Sequence, residues 1–249
     1  MKKISVLLGL LALLCANLAF AAGAIVTSLN GTAQAQTGSA APRTLREGDT
    51  VNQGDTVFTG GGSSLVLRFD DGQVAALTSN SRMTVTTYDY NSSSGGGNVF
   101  LSLITGGMRT ITGLIGHRNP SNVAYRAATA TIGIRGTDVT FATQGNEVLV
   151  EVTDGSVTVT VGTQTITLAA GEAAFIRPGP NGIPVIVKGP IATVLNGTGQ
   201  NRVPEALQRD LSSATGVTLS TVGQTTTATT PNNTQVTITN TSGGGSSVH

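Results

Sequence analysis

Short runs in which apolar and polar residues alternate, closed by Gly-Asp or Asp-Gly pairs, dominate this chain and leave it little choice but β-structure. In 64–69, Leu65, Leu67 and Phe69 fall on one face and Val66 and Arg68 on the other; Asp70-Asp71-Gly72 follows, and 73–77 returns. Period-two alternation reads as a half-buried strand, and Asp-Gly supplies the positive φ that a tight turn needs. The order strand, Asp-Gly, strand comes back at 148–152, Asp154-Gly155 and 156–161, followed by Gly162-Thr163, 164–168, Gly171-Glu172 and 173–176. Two Gly-Asp pairs, Gly48-Asp49 and Gly54-Asp55, flank short strands upstream. Runs at 83–90 and 99–104 enclose an Asn/Ser/Gly loop at 91–97; Gly106-Gly107 is expected to end the second run, with 108–117 pairing again. The 33 Gly and 39 Thr among 249 residues suit pleated surfaces joined by turns.

Both ends differ from this body. Residues 1–22 read as a Sec signal peptide, with Lys2 and Lys3 before an apolar run and Ala19-Phe20-Ala21 at its close; the run is short for a bilayer span, and retention as an anchor is the alternative. Leu14 before Cys15 argues against lipidation, and without this segment no cysteine remains. The expected location is the periplasm, the cell surface or the medium, with no membrane span after cleavage. Residues 178–210 carry Pro178, Pro180, Pro184 and Pro190 and read as a linker, with one short helix at 204–211 presenting Val203, Leu207 and Leu211 on one side. Residues 211–249 hold no Asp, Glu, Lys or Arg and 18 Ser or Thr, which reads as a disordered low-complexity tail; a weak strand around 217–219 or 236–238 is the alternative.

Charge and chemistry are scarce. Charged residues make up 11% of the chain, against about 25% in an average one, so no basic stripe for nucleic acid can form. His117 sits in a predicted loop and His249 at the end, too few with no cysteine for a zinc site, and no cofactor is implied. Asp49, Asp55, Asp71 and Asp154 adjoin Gly and read as turn formers; Asp70, Asp71 and Asp138 are the carboxylates that a glycan hydrolase would have to use. Gly60-Gly61-Gly62 lacks the lysine and helix of a phosphate loop.

Ile132-Gly133-Ile134-Arg135-Gly136-Thr137 is the least ordinary segment, because two glycines interrupt a strand pattern. Glycine inside a strand marks a bulge or the close approach of another backbone. Gly133, Arg135, Gly136 and Thr137 are therefore candidates either for contact with an anionic partner through Arg135 or for a structural bulge in which Arg135 pairs with Asp138 or Glu151.

The run Ala127-Ala128-Thr129-Ala130-Thr131-Ile132-Gly133-Ile134-Arg135-Gly136-Thr137-Asp138-Val139-Thr140-Phe141 resembles the core signature of the FecR-like domain. The 67–77 hairpin, the 99–108 strand and the 148–175 closing hairpin are similar in order and spacing, so the resemblance covers 23–177. It implies an all-β periplasmic module, a roll or solenoid-like sandwich of short antiparallel hairpins. Named members resemble membrane-bound sigma regulators; here no cytoplasmic helical segment is expected before the signal, and no receptor-docking domain after the β body. Three functions are expected: a non-enzymatic binding or sensing module tied to signal transduction, with an envelope protein or glycan as partner; a surface scaffold that self-associates; and a carboxylate-dependent glycan hydrolase.

Overall fold

A computed structural model describes residues 23–215 and, beyond them, 218–222, 225–229 and 235–239. The expected signal peptide lies outside the described residues. The strands are β1 (Gly23–Asn30), β2 (Ala33–Thr37), β3 (Arg43–Thr44), β4 (Thr50–Asn52), β5 (Asp55–Thr59), β6 (Ser64–Phe69), β7 (Val74–Leu77), β8 (Arg82–Asn91) and β9 (Gly96–Ile111). After helix α1 (Leu114–Arg118) come β10 (Val123–Ala127), β11 (Ala130–Gln144), β12 (Glu147–Val161), β13 (Gln164–Ala169), β14 (Glu172–Arg177) and β15 (Val185–Pro190). Helices α2 (Ile191–Leu195) and α3 (Glu205–Thr215) follow.

All fifteen strands belong to one hydrogen-bonded sheet, and three long members bend it into two layers. The first half of β9 pairs with β8 and β10, the second half with β7 and β11. The first half of β11 pairs with β10 and the second with β9, while β12 pairs along both. In the same way β12 meets β14 through 148–151 and β13 through 156–161. One layer therefore runs β3-β2-β5-β8-β9-β10-β11-β12-β13 and the other β4-β1-β6-β7-β9-β11-β12-β14-β15. Aromatic contacts cross the space between them. Phe69 of β6 lies 4.9 Å from Tyr88 of β8, and Tyr125 of β10 stacks 5.7 Å from Phe141 in the second half of β11. The main core draws buried residues from both layers.

This is the expected all-β, sandwich-like roll, with several local departures. Gly106-Gly107 does not end β9; Gly106, at φ 86°, lets the strand turn from one layer into the other. Pairing stops at Ile111, and 114–118 is helical, so His117 lies on a helix rather than in a loop. Residues 112–122 form a crossover that sets β10 parallel to β9, where antiparallel hairpins alone were expected. Asp154-Gly155 is no hairpin turn either: β12 continues through it as an irregularity opposite Arg135–Asp138.

The stretch expected as a linker is packed onto the sheet. Pro184 and Pro190 flank β15, an edge strand, where a missing N–H is tolerated, and Pro178 and Pro180 lie in the turn between β14 and β15. Ala142, Leu149, Phe175 and Val187 are successive cross-strand partners, and the first three are buried under Val194, Val203, Leu207 and Leu211. Helix α3 starts one residue after Pro204 and reaches Thr215, four residues past the expected end. In the Thr/Ser-rich tail, β16 (Thr218–Val222), β17 (Thr225–Thr229) and β18 (Gln235–Thr239) pair with one another and with no strand of the body among the described residues.

Candidate functional site

The four residues singled out by sequence sit on β11, but they do different things. Gly133 is ordinary extended strand, opposite Thr158, with nothing but that residue's carbonyl within 4 Å of where a Cβ would stand, at 3.9 Å. Gly136 takes φ 59° at the register shift between Arg135 and Asp138. Thr137 is buried and stapled to Thr112: its backbone N–H donates to Thr112 Oγ1 at 2.9 Å, and Thr112 Oγ1 donates to its carbonyl at 3.0 Å. Arg135 is exposed and, among the described residues, makes no ion pair. The expected bond from Arg135 to Asp138 is replaced by one from Arg109.

Arg109 is the residue that sequence reading passed over. Its Nε donates to Asp138 Oδ1 at 2.8 Å and its Nη2 to Oδ2 at 2.5 Å, a bidentate fork, while Nη1 donates to the Thr215 carbonyl at 3.1 Å at the C-terminal end of α3. Both partners are largely buried, with side chains 8% and 14% exposed. Cross-strand register runs Arg109, Thr140, Glu151. Burial pushes the Glu151 carboxyl up, the Arg109 cation draws it down and Asp138 raises it again. Period two was the available signal: Arg109 shares a face with Ile111 in an otherwise uncharged strand.

A second polar group lies inside the sandwich. Asp71, 1% exposed, accepts hydrogen bonds from Gln73 N at 3.1 Å, Ile115 N at 3.4 Å and the Tyr88 hydroxyl at 3.3 Å, and its own N–H donates to Tyr88 at 2.9 Å. Tyr125 donates to Gln73 Oε1 at 3.1 Å. Gly113 lies against the Asp71 carboxylate, leaving no room for a Cβ. Desolvation raises the Asp71 carboxyl above 3.8 despite these bonds, and burial also raises both phenols. The group ties the β6–β7 turn to both layers and to α1.

The sign of the Asp71 shift sets a pH dependence. A folded pKa above the unfolded one means the fold prefers the neutral carboxyl. The resulting penalty is absent below the unfolded value and complete above the folded one. We expect Asp71→Asn to gain stability relative to wild type as pH rises from near 3.8 through the raised value. Urea midpoints of both proteins at acid and neutral pH measure this; a pH-independent difference contradicts it.

Asp70, Asp71 and Asp138 thus have structural partners: Gly23 N donates to Asp70 at 2.9 Å, Asp71 is enclosed, and Asp138 is forked by Arg109. Among the described residues no three His, Cys or carboxylate groups come together as metal ligands, and no helix is long and apolar enough to cross a membrane.

Residues 55–158, from β5 into β12, match the family described as FecR protein, and the chain carries a FecR-like domain there. FecR is a regulatory, membrane-associated envelope family. No curated protein matches the sequence. Two crystal structures of a proposed anti-sigma factor from Parabacteroides distasonis align at 16% identity and TM-score 0.43, covering 54% of this chain and 59% of that one.

Proposed function

We propose that this protein is an exported FecR-like sensing module of the bacterial envelope that acts in signal transduction by binding rather than by catalysis. The observation that carries this reading is the FecR match over 55–158, which takes in the first bend and the crossover and extends into the last of the three shared strands. The enclosed or ion-paired state of Asp71 and Asp138 supports a structural use of the body's carboxylates rather than a hydrolytic one.

Edge geometry weighs against the scaffold reading. Lys188 Nζ donates to the Thr167 carbonyl at 2.7 Å and Glu172 accepts from Ala169 N at 2.8 Å, so side chains cover the Thr167–Ala169 end of the free side of β13. At the opposite ends β3 and β4 have two and three residues, too few to template another chain.

Deletion of the gene in its native host, with transcript profiling and fractionation, tests the proposal. We expect a defined transcript set to change and to be restored by the wild-type gene, and the product to be found outside the cytoplasm with its N-terminus at Ala22 or Gly23. An unchanged transcript profile, or a cytoplasmic product that keeps Met1, would overturn it.

A further inference from the structure

The two layers differ sharply on their outer sides. The outer side of the second layer is covered by α2 and α3 and holds Arg109, Asp138 and Glu151. The outer side of the first layer is open. There Thr56, Thr84, Ser102, Arg126, Thr131 and Thr160 are successive cross-strand partners over six strands, a row about 24 Å long at ordinary strand spacing. Their neighbours along each strand, Val57, Met83, Val85, Leu101, Tyr125 and Ile132, are buried in the core, so the row faces outward.

Two arginines on this face lie over aromatic rings. Arg82 lies 5.0 Å over the Phe58 ring and Arg126 5.7 Å over Phe100. Stacking leaves the guanidinium's fork of donors free for a carboxylate. Exposed Arg135 lies on the same side, four residues along β11 from Thr131. The carboxylate on the outward face of these strands is Asp89, at the far end of β8, where the Asn98 amide donates to it at 3.1 Å. The other members of the row carry hydroxyls, several of them paired with each other or with neighbours: Thr56 with Thr84 at 2.9 Å, Thr86 with Ser102 at 3.0 Å and Thr160 with Thr165 at 3.1 Å. Each hydroxyl keeps further donor or acceptor capacity.

We propose that this outer face binds an acidic polysaccharide, a chain of uronic acid type laid along the Thr/Arg row. Three features select that occupant. The row is continuous across six strands, and its polar side chains repeat at about 4.8 Å, close to the length of one sugar ring. Its cations are few and set apart, which suits sparse carboxylates better than the dense charge of a polyphosphate. Ile104, 44% exposed, is a lone large aliphatic side chain on this face and too little to anchor the domain in a bilayer. The inference stands on this face alone and does not require the signalling role.

The test uses the protein lacking its leader, with polygalacturonate as probe and dextran, inorganic polyphosphate and phosphatidylglycerol vesicles as comparators, at physiological salt. Calorimetry and affinity electrophoresis should show binding to polygalacturonate and none to dextran. Arg82→Gln/Arg126→Gln should weaken it at least about tenfold, the loss of charge-assisted hydrogen bonds. Thr158→Glu, which places a carboxylate on the same face, should weaken it too and decides the matter if the double variant fails to melt like wild type. Glu205→Gln, on α3, should leave it unchanged. No binding, equal binding to polyphosphate or vesicles, or binding indifferent to both face variants overturns the proposal.

Discussion

Gly155→Val should cost about 2–5 kcal/mol, a large share of the roughly 5–15 kcal/mol that holds a domain of this kind together. Gly155 takes φ 77° in the middle of β12, where a β-branched residue is strongly disfavoured. A Cβ there would overlap the Gly136 carbonyl oxygen, with the carbonyl carbon at 2.9 Å and the Arg135 carbonyl oxygen at 3.1 Å. Those atoms are backbone and belong to the bend that carries β11 between layers, so they cannot step aside alone. Gly162→Val separates the two contributions. Gly162 has φ 58° but open space around it, so it should lose only the conformational part, about 1–2 kcal/mol. Gly133→Ala should stay within about 1 kcal/mol of wild type, since Gly133 is extended with its nearest neighbour at 3.9 Å. Urea unfolding of the three proteins ranks them; a Gly155→Val midpoint no lower than that of Gly162→Val refutes the close-approach argument.

The same glycine shows what period and turn chemistry reveal and what they do not. In 148–150 the run Val-Leu-Val is continuously apolar, whereas 156–161 alternates Ser-Val-Thr-Val-Thr-Val. Continuous apolarity marks a strand buried on both faces and alternation one that faces water, and the structure has α3 over the first half of β12 and solvent over the second. The change at Gly155 was therefore legible as a change of environment. That it is a bend within one strand was not, because a hairpin turn and a bulge both ask for positive φ. The choice is made by β11, which brings its own irregularity at Gly136 to the same place.

Long-range partners were illegible for a similar reason. Asp138 could be served by Arg135, three residues away, or by Arg109, twenty-nine away. Only the pairing of β11 with β9 places Arg109 beside it, while Arg135 lies before the bulge and faces out. The segment after 177 misled through its prolines. They do interrupt strands, but Val194, Val203, Leu207 and Leu211 supply enough apolar surface to cover the row Ala142–Leu149–Phe175. The FecR resemblance placed the fold correctly because it rests on order and spacing, which the bends leave intact.

Arg109 is where these threads meet, and Arg109→Ala should be about as damaging as Gly155→Val, by about 3–5 kcal/mol. Most of that is the cost of a largely buried Asp138 left without its cation, not the worth of the pair. Replacing both partners, as Arg109→Met/Asp138→Leu, should therefore recover much of the loss, and a double-mutant cycle measures the coupling. A second effect is local. Arg109 Nη1 caps the Thr215 carbonyl, so the single variant should raise amide exchange in 205–215 beyond what global unfolding explains. A third follows from Glu151, whose carboxyl is already raised by burial and held down by Arg109. Without that cation Glu151 and Asp138 face each other unscreened, and the folded pKa of Glu151 rises further. A raised folded pKa contributes a penalty above that pKa and none below the unfolded value, so the damage done by Arg109→Ala should shrink as the medium is acidified through the Glu151 titration. A destabilisation that stays constant with pH and is not relieved by the double replacement would show that Arg109 acts through its alkyl stem alone.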